Sequence, residues 1–304
     1  MFMNTYKLKA LSVAMLAMGL MLSPQGFAAE SALPKRSEPQ SPASKSVQVE
    51  VNKRTADTAA EKRKELIADA QTAIAETEKA LQALREKKNK EAIDALANAT
   101  GKLELVLARN PKLDLAPVNT DVVMFDVLSN RDTVKAVLKE AKMYLSDNEI
   151  QKARPLIANL ASEIQYRTSN IPLSTYPKAI KAITPLIDAG KIDEAKAELQ
   201  AMLNTLVITT QIVPLPKLRA EAMLREAKSL AEKKQRSKEE NDKLSINLQG
   251  ISEQLEMAEL LGYGKKEDYK PMYEQLDEIM NKTANGKSGT NWFDNIKKQL
   301  SNLI

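Results

Sequence analysis

The sequence predicts an all-α fold, a compact bundle of antiparallel helical hairpins built from irregular repeats and preceded by a disordered linker. Four segments share one apolar pattern, in which a large aliphatic anchor is followed seven residues later by a second aliphatic side chain. Such positions lie on one face of an α-helix, so each segment is typical of an amphipathic helix. The anchors and their partners are Leu96 and Leu103, Ile157 and Ile164, Leu199 and Leu206, and Leu248 and Leu255.

Two other features recur at fixed distances from the anchors. Four residues before an anchor stand Ala92, Ala153 and Ala195, with Leu244 in the fourth copy. Fifteen residues after it, three copies have a proline, which ends a helix, and the fourth has Tyr263. The anchors lie 61, 42 and 49 residues apart. This irregular spacing favours a compact bundle over a regular solenoid, whose repeats would be about 34 residues long.

The first 28 residues predict an export signal. Lys7 and Lys9 precede a short apolar run, and small residues at Gly26 and Ala28 suit cleavage after Ala28. We therefore expect a periplasmic protein. Residues 29–54 contain three prolines among polar residues and predict a disordered linker, although residues 46–51 alternate in polarity and could form a lone strand.

Three helical segments follow the linker. Residues 55–112 predict an N-terminal helical hairpin, and residues 113–263 predict the main helical domain. Residues 264–304 predict a C-terminal extension that carries an amphipathic helix.

The absence of two residue types excludes several kinds of catalytic site. The chain has no histidine and no cysteine, so it cannot form a Ser-His-Asp triad, a Cys-His pair or a Cys/His zinc site. We predict no catalytic residue, no metal ligands and no cofactor. Without residues 1–28, the chain has 43 basic and 40 acidic side chains. This balance does not indicate nucleic-acid binding, which requires a clustered basic surface.

Several motifs between about residues 131 and 263 resemble the YfdX family of exported enterobacterial proteins. The resemblance rests on the segments 187–199 (IDAGKIDEAKAEL), 210–216 (TQIVPLP), 218–234 and 173–177 (LSTYP). It implies an all-helical, oligomeric periplasmic protein associated with bacterial stress responses, including acid and heat. It implies no enzymatic activity and no catalytic residues. The chain departs from the family in its N-terminal hairpin, in an insertion at residues 236–242 and after Gly264.

The C-terminal extension carries the most specific interaction candidates. A short helix after the linker at residues 285–289 has an apolar stripe that begins with the chain's only tryptophan, and two lysines lie beside the stripe. It can fold back onto its own bundle, dock on a partner or a neighbouring subunit, or contact an anionic membrane weakly. The stripe contains Trp292, Phe293, Ile296 and Leu300.

A second set of candidates lies beside the proline-containing connections. Tyr166, Tyr176 and Gln211 are predicted at or near helix ends, where an aromatic body with a polar tip suits a binding groove. The alternative is that the tyrosines pack on their own bundle with the hydroxyl in water.

We expect a non-enzymatic stress-response protein that binds other proteins or a second copy of itself, with a chaperone-like action. One alternative is a carrier or sensor of a small apolar ligand, held near one of the helices that Pro155 and Pro185 kink. A remote alternative is a hydrolase of envelope polymers that uses two carboxylates, which would need both acids in one cleft.

Overall fold

The computed structural model describes residues 41–127 and 130–303, the side chain of Asn285 excepted. The predicted signal peptide and its cleavage after Ala28 lie outside the described residues, as does the first part of the predicted linker, residues 29–40. The described residues fall into one compact unit.

The described chain is mostly helical. Three single strands interrupt the succession of helices. The helices are α1 (Pro42–Ser46), α2 (Gln48–Lys64), α3 (Ala68–Arg85), α4 (Asn89–Arg109), α5 (Arg131–Ser146), α6 (Ile150–Ala158), α7 (Tyr176–Asp188), α8 (Ile192–Leu203), α9 (Leu215–Ala231), α10 (Lys238–Leu260), α11 (Lys266–Thr283) and α12 (Asp294–Asn302).

A small antiparallel sheet corrects the all-α prediction. Strands β1 (Leu115–Phe125), β2 (Glu163–Pro172) and β3 (Val207–Pro214) are ordered β1-β2-β3 in the sheet. Each strand follows a helix pair: α3 and α4 precede β1, α5 and α6 precede β2, and α7 and α8 precede β3. β-Branched residues, which are valine, isoleucine or threonine, recur in all three segments, and such side chains pack well on a pleated surface.

The sheet shortens two of the predicted helices. Ile164 was expected on the face of a helix but lies in β2, and Leu206 lies in the connection that precedes β3. The alanines at positions 92, 153 and 195 are buried on the second helix of each pair, whereas the anchor Ile157, one residue before the end of α6, is 47% exposed. Consecutive helices do pack together in the pairs α3/α4, α5/α6, α7/α8 and α9/α10.

The predicted linker and the predicted start of the N-terminal hairpin are also corrected. Residues 42–46 form α1, and α2 runs through the predicted boundary at residue 54, so no strand forms at residues 46–51. Ala43, Val47 and Val51 are buried against the rest of the fold. These three apolar residues are spaced by four, which is the helical spacing that holds this segment in place.

Three groups of buried side chains form the interior. One lies among α1, α9, α10, α11 and α12, and a second lies among α3, α4, α7, α8 and one end of the sheet. The third is small and joins α2 and the start of α9 to one face of the sheet, through Val51, Ala59, Ile164, Tyr166 and Leu218. This third group positions the site described next.

Candidate functional site

A cleft of about 630 Å³ lies along strand β3, between that strand, α2 and α9. Its wall on one side is the run of residues 210–213 in β3, and α2 and α9 supply the other wall. Ser301, near the end of α12, also lines the cleft. The helical side chains that line the cleft are Arg54, Thr55, Thr58, Lys217, Leu218 and Glu221.

Two of the predicted interaction residues meet in this cleft. Tyr166 and Gln211 are direct cross-strand partners in β2 and β3, and both line the cleft. Neither is at a helix end as predicted, because both lie in the middle of a strand. Tyr166 is 2% exposed and its hydroxyl donates a hydrogen bond to the Thr55 carbonyl at 3.3 Å, while Gln211 is exposed. Burial raises the pKa of Tyr166 above its usual range, so this hydroxyl stays protonated.

Charged side chains at the cleft are paired with one another or with main-chain oxygens. Arg54 Nη1 lies 2.6 Å from Glu221 Oε2, and this pair joins α2 to α9. Lys217 Nζ donates to the Ser301 carbonyl at 3.3 Å and to the Leu303 carbonyl, which ties the end of α12 to α9. Burial lowers the pKa of Lys217, and the nearby Glu221 carboxylate partly offsets this effect. The charges therefore hold the walls of the cleft in place.

Strand β3 presents an uncovered edge beside the cleft. It pairs with β2 on one side, and no other described strand pairs with it on the opposite side. Six consecutive residues, Val207 to Ile212, are exposed, so the strand lacks the alternation of a half-covered strand. Ile208 is 63% exposed. An edge of this kind carries main-chain donors and acceptors that are ready to pair with another chain.

The opposite edge of the sheet is protected. Proline at position 117 and a break in the register between Pro117 and Asn119 interrupt β1, and Asp121 adds a charge to this strand. The Pro117 carbonyl accepts a hydrogen bond from the Ile67 amide at 3.0 Å, and the Val118 carbonyl accepts one from Gln71 Nε2 at 3.1 Å. These features are typical of edges that avoid further pairing. Residues 207–213 of β3 contain no charged residue and no proline.

The other predicted interaction residues lie elsewhere. Tyr176 begins α7 and is buried in the second core, where burial raises its pKa to about 12. Phe293, Ile296 and Leu300 are at most 1% exposed and pack in the first core, so the stripe of α12 faces its own bundle. Trp292 is partly buried beside them, with Lys282 Nζ 5.9 Å from the centre of its ring.

A buried polar network lies at the start of β2. Asp126 and Arg219 form a two-point ion pair, with Nη2–Oδ2 and Nη1–Oδ1 distances of 2.7 and 3.2 Å and side chains 10% and 6% exposed. Ser162 Oγ donates to Asp126 at 3.0 Å. The Tyr263 hydroxyl donates to Glu163 at 2.7 Å and accepts from the Ser162 amide, so this network links the sheet to α9 and to the end of α10. Burial, together with the hydrogen bond to Glu163, raises the pKa of Tyr263.

The described residues include neither a cluster of metal-ligating side chains nor a helix that could span a membrane. Across residues 41–127 and 130–303, no three acidic side chains are grouped so that they could hold a metal ion. None of the helices in that part of the chain is long and apolar enough to cross a membrane.

Sequence reasoning missed most of the cleft. Arg54 fell in the predicted linker, and nothing marked Lys217 or Glu221 as neighbours of residue 211. One signal was available for the uncovered edge: a run of seven residues, 207–213, that combines β-branched side chains with no charge.

Comparison with known proteins finds a similarity to one family in the central segment. Residues 73–212 match the family model described as YfdX protein, from α3 through most of β3. Among solved structures, the chain is similar to that of Salmonella Typhi YfdX, with 14% identity, 49% of this chain and 93% of that chain covered, and a TM-score of 0.34. No curated protein matches the sequence. The matched segment begins and ends earlier than the stretch 131–263 that carried the resemblance.

Proposed function

We propose that this chain is a non-enzymatic periplasmic stress-response protein that binds other proteins, in a chaperone-like manner, under acid or heat. The uncovered edge of β3 beside the cleft carries this proposal. An extended segment of an unfolding protein adds to the sheet as a fourth strand, and its side chains enter the cleft next to Tyr166 and Gln211. The match of residues 73–212 to the YfdX family model supports the stress-related part of the proposal.

Pairing at a strand edge suits the capture of unrelated clients. The main-chain hydrogen bonds of an added strand do not depend on the sequence of the partner. Specificity comes from the alternate side chains of the added strand that contact the cleft. The exposed Val207, Ile208 and Ile212 offer apolar contact on either side of the new strand. Burial of apolar surface contributes about 25 cal/mol per Å² before the cost of ordering the client.

The buried carboxylates support a binding role over a hydrolytic one. Both oxygens of Asp126 bind Arg219, and Glu163 accepts hydrogen bonds from Tyr263 and Gln165. Asp126 joins the end of β1 to α9, and Glu163 joins the start of β2 to Tyr263, which follows α10. The hydrolase alternative needs two acids free to act on a substrate in one cleft.

A holdase assay with a β3 variant tests the proposal. The wild-type chain at a molar ratio of one to one should suppress the aggregation of a destabilised client at pH 4 and at elevated temperature. Ile208→Lys should lose most of this suppression, because a charged side chain on an exposed edge opposes further strand pairing. Light scattering of the client is the measurement.

Ile246→Lys is the matched control, since Ile246 is a 51% exposed isoleucine on α10, outside the sheet. It should retain the wild-type suppression. Equal loss in both variants would show that general surface hydrophobicity is responsible, and no suppression by the wild-type chain would remove the chaperone-like action. Circular dichroism should show the same helix content in all three proteins.

A second candidate function is the binding of a small apolar ligand in a pocket that Pro155 lines. A pocket of about 420 Å³ lies between α5, α6 and the end of β1. Its lining is mostly aliphatic, with three polar side chains at Asp126, Thr133 and Asn159, a composition that suits a ligand with a polar end. The aliphatic lining residues are Val127, Val134, Val137, Pro155, Leu156 and Leu160.

Filling this pocket tests the second candidate. Val137→Trp should abolish binding of a fluorescent apolar probe such as N-phenylnaphthylamine, because the indole occupies the space of the ligand. Val49→Trp, at a position 81% exposed on α2, should leave probe binding unchanged. Equal probe binding by both variants would contradict the assignment to this pocket.

A further inference from the structure

We propose that a second copy of this chain occupies the edge of β3 when no client is bound, through antiparallel pairing of the two β3 strands about a two-fold axis at Thr210. The two sheets then become one continuous sheet of six strands. This inference rests on the proposed function in that it names the resting partner of the same edge. Its failure can still be distinguished from failure of the client-binding proposal, because the oligomeric state and the suppression of client aggregation are measured separately.

The strand sequence is nearly symmetric about Thr210. Residues at equal distances from it are Val207 and Val213, Ile208 and Ile212, and Thr209 and Gln211. A two-fold axis through Thr210 places each of these residues opposite the other member of its pair in the second copy, so that Val207 meets Val213 and Ile208 meets Ile212. Directly opposed side chains stabilise an antiparallel pair when they are alike in shape and uncharged, and β-branched pairs do this well. The pattern therefore matches the strand to itself in one register.

In the proposed pairing, side chains on one face of β3 meet side chains on the same face of β3 in the second copy. Gln211 is opposite Tyr166 and lies on the face that α2 and α9 cover, together with Val213. Ile208, Thr210 and Ile212 lie on the other face, by the alternation of side chains along a strand. In the proposed register isoleucine meets isoleucine on the outer face and valine meets valine on the inner face. Both apolar sets thus gain cover from the second copy.

Charge permits this pairing at β3 and opposes it at β1. Residues 207–213 carry no charged side chain, so two copies can approach without repulsion between the strands. The β1 edge has Asp121, the break at Pro117 and main-chain contacts with Ile67 and Gln71. One edge of the sheet is therefore closed to a second copy, and the other is open to it.

Self-pairing gives the exposed edge a protected resting state. A bare strand edge promotes uncontrolled aggregation, and pairing in closed two-fold symmetry ends the assembly at two chains. A client then competes with the second copy for the same main-chain groups. We expect client binding to shift the chain from dimer to client-bound monomer.

Single cysteines test the pairing and its register, because the natural chain contains no cysteine. In Thr210→Cys the two thiols lie opposite one another, about 5 Å apart between Cβ atoms, so mild oxidation or a short bifunctional thiol reagent should give a covalent dimer. Ile208→Cys alone should not, because its thiols are offset by four residues, about 13 Å along the strand. A mixture of Ile208→Cys and Ile212→Cys should cross-link between the two variants.

Asp121→Cys on the closed edge is the control for random collision. Cross-linking of Thr210→Cys no faster than Asp121→Cys would overturn the proposal. Efficient cross-linking of Ile208→Cys to itself would overturn the proposed register. The helix content of each variant, measured by circular dichroism, should equal that of the natural chain. A variant with less helix is misfolded and is left out of the comparison.

A charge exchange at Thr210 gives an independent result. Thr210→Lys should raise the dissociation constant of the dimer at least about tenfold, measured by sedimentation, because like charges then oppose one another across the axis. A mixture of Thr210→Lys with Thr210→Glu should recover a heterodimer. A chain that stays monomeric at every concentration but suppresses client aggregation would overturn self-pairing and leave the proposed function in place. A stable β3 dimer that does not suppress client aggregation would overturn the proposed function and leave self-pairing in place.

Discussion

Asp126→Leu is expected to lower the free energy of unfolding by about 3–5 kcal/mol, because it leaves the Arg219 guanidinium buried without its counter-ion. Arg219 is 6% exposed and forms two hydrogen bonds with Asp126, so water cannot easily replace the lost carboxylate. The pair joins the end of β1 to α9, and the loss should therefore unfold the sheet together with the helices. Urea denaturation followed by circular dichroism measures this change.

The double variant Asp126→Leu/Arg219→Met should recover most of the lost stability. Removing both charges takes away the cost of burying them, and apolar side chains of similar volume can replace the pair at little net cost. Glu104→Leu is the surface control, since Glu104 pairs with Lys181 at 2.7 Å with both side chains more than half exposed. That control should change stability little. A double variant as unstable as Asp126→Leu would show that shape, and not an unpaired charge, explains the loss.

Phe293→Ala is expected to cost about 3–5 kcal/mol of stability, the range for removing a large aromatic side chain from a well-packed interior. Phe293 is 1% exposed and packs in the core formed by α9, α10, α11 and α12. The C-terminal helix therefore contributes to folding of the bundle. Thermal and urea denaturation of the full chain measure the effect.

Phe125→Ala removes the same atoms from a position that is 37% exposed on β1, and it should cost clearly less. Two equal losses would contradict the account of α12. Unchanged stability in Phe293→Ala would favour the alternative in which this helix docks on a partner or a neighbouring subunit, as the sequence alone allowed.

The helix pairs could be predicted because their signals are local. The repeat alanines Ala92, Ala153 and Ala195 are all buried, and the turn positions that precede them contain residues with left-handed backbone conformation, Lys87, Asn148 and Gly190. Turn residues and an apolar period of 3.6 act within a few residues of one another, so they can be found in one sequence.

The sheet could not be predicted in the same way. A short apolar run such as residues 207–213 fits either a strand or the end of a helix until its neighbours in space are known. The repeat pattern favoured continuous helices through Ile164 and Leu206, yet tertiary pairing of β1, β2 and β3 decided the local structure. The linker prediction at residues 41–54 was wrong for a related reason, because α1 and α2 depend on distant contacts with α9, α10 and β1.

The candidate site was predicted in part. Tyr166 and Gln211 were proposed as interaction residues and do line one cleft, although the reasoning placed them at helix ends. Arg54 lies far from these residues along the chain, whereas Lys217 and Glu221 lie on α9, which begins directly after β3. Only the packing of α2 and α9 against β3 brings the three side chains together with Tyr166 and Gln211. Phe293, Ile296 and Leu300 carried the same apolar signal as a docking surface, but they are core residues.

Amide hydrogen exchange of β3 tests the central claim, that this edge binds polypeptide. At a concentration where the chain is monomeric, addition of an unfolding client at pH 4 should slow exchange in the peptide that covers residues 207–213 at least about tenfold, because newly paired amides exchange only when the added strand opens. Exchange in residues 118–124 of β1 should not change. Slowing confined to α5 and α6, or no change in β3 while client is demonstrably bound, would contradict the account.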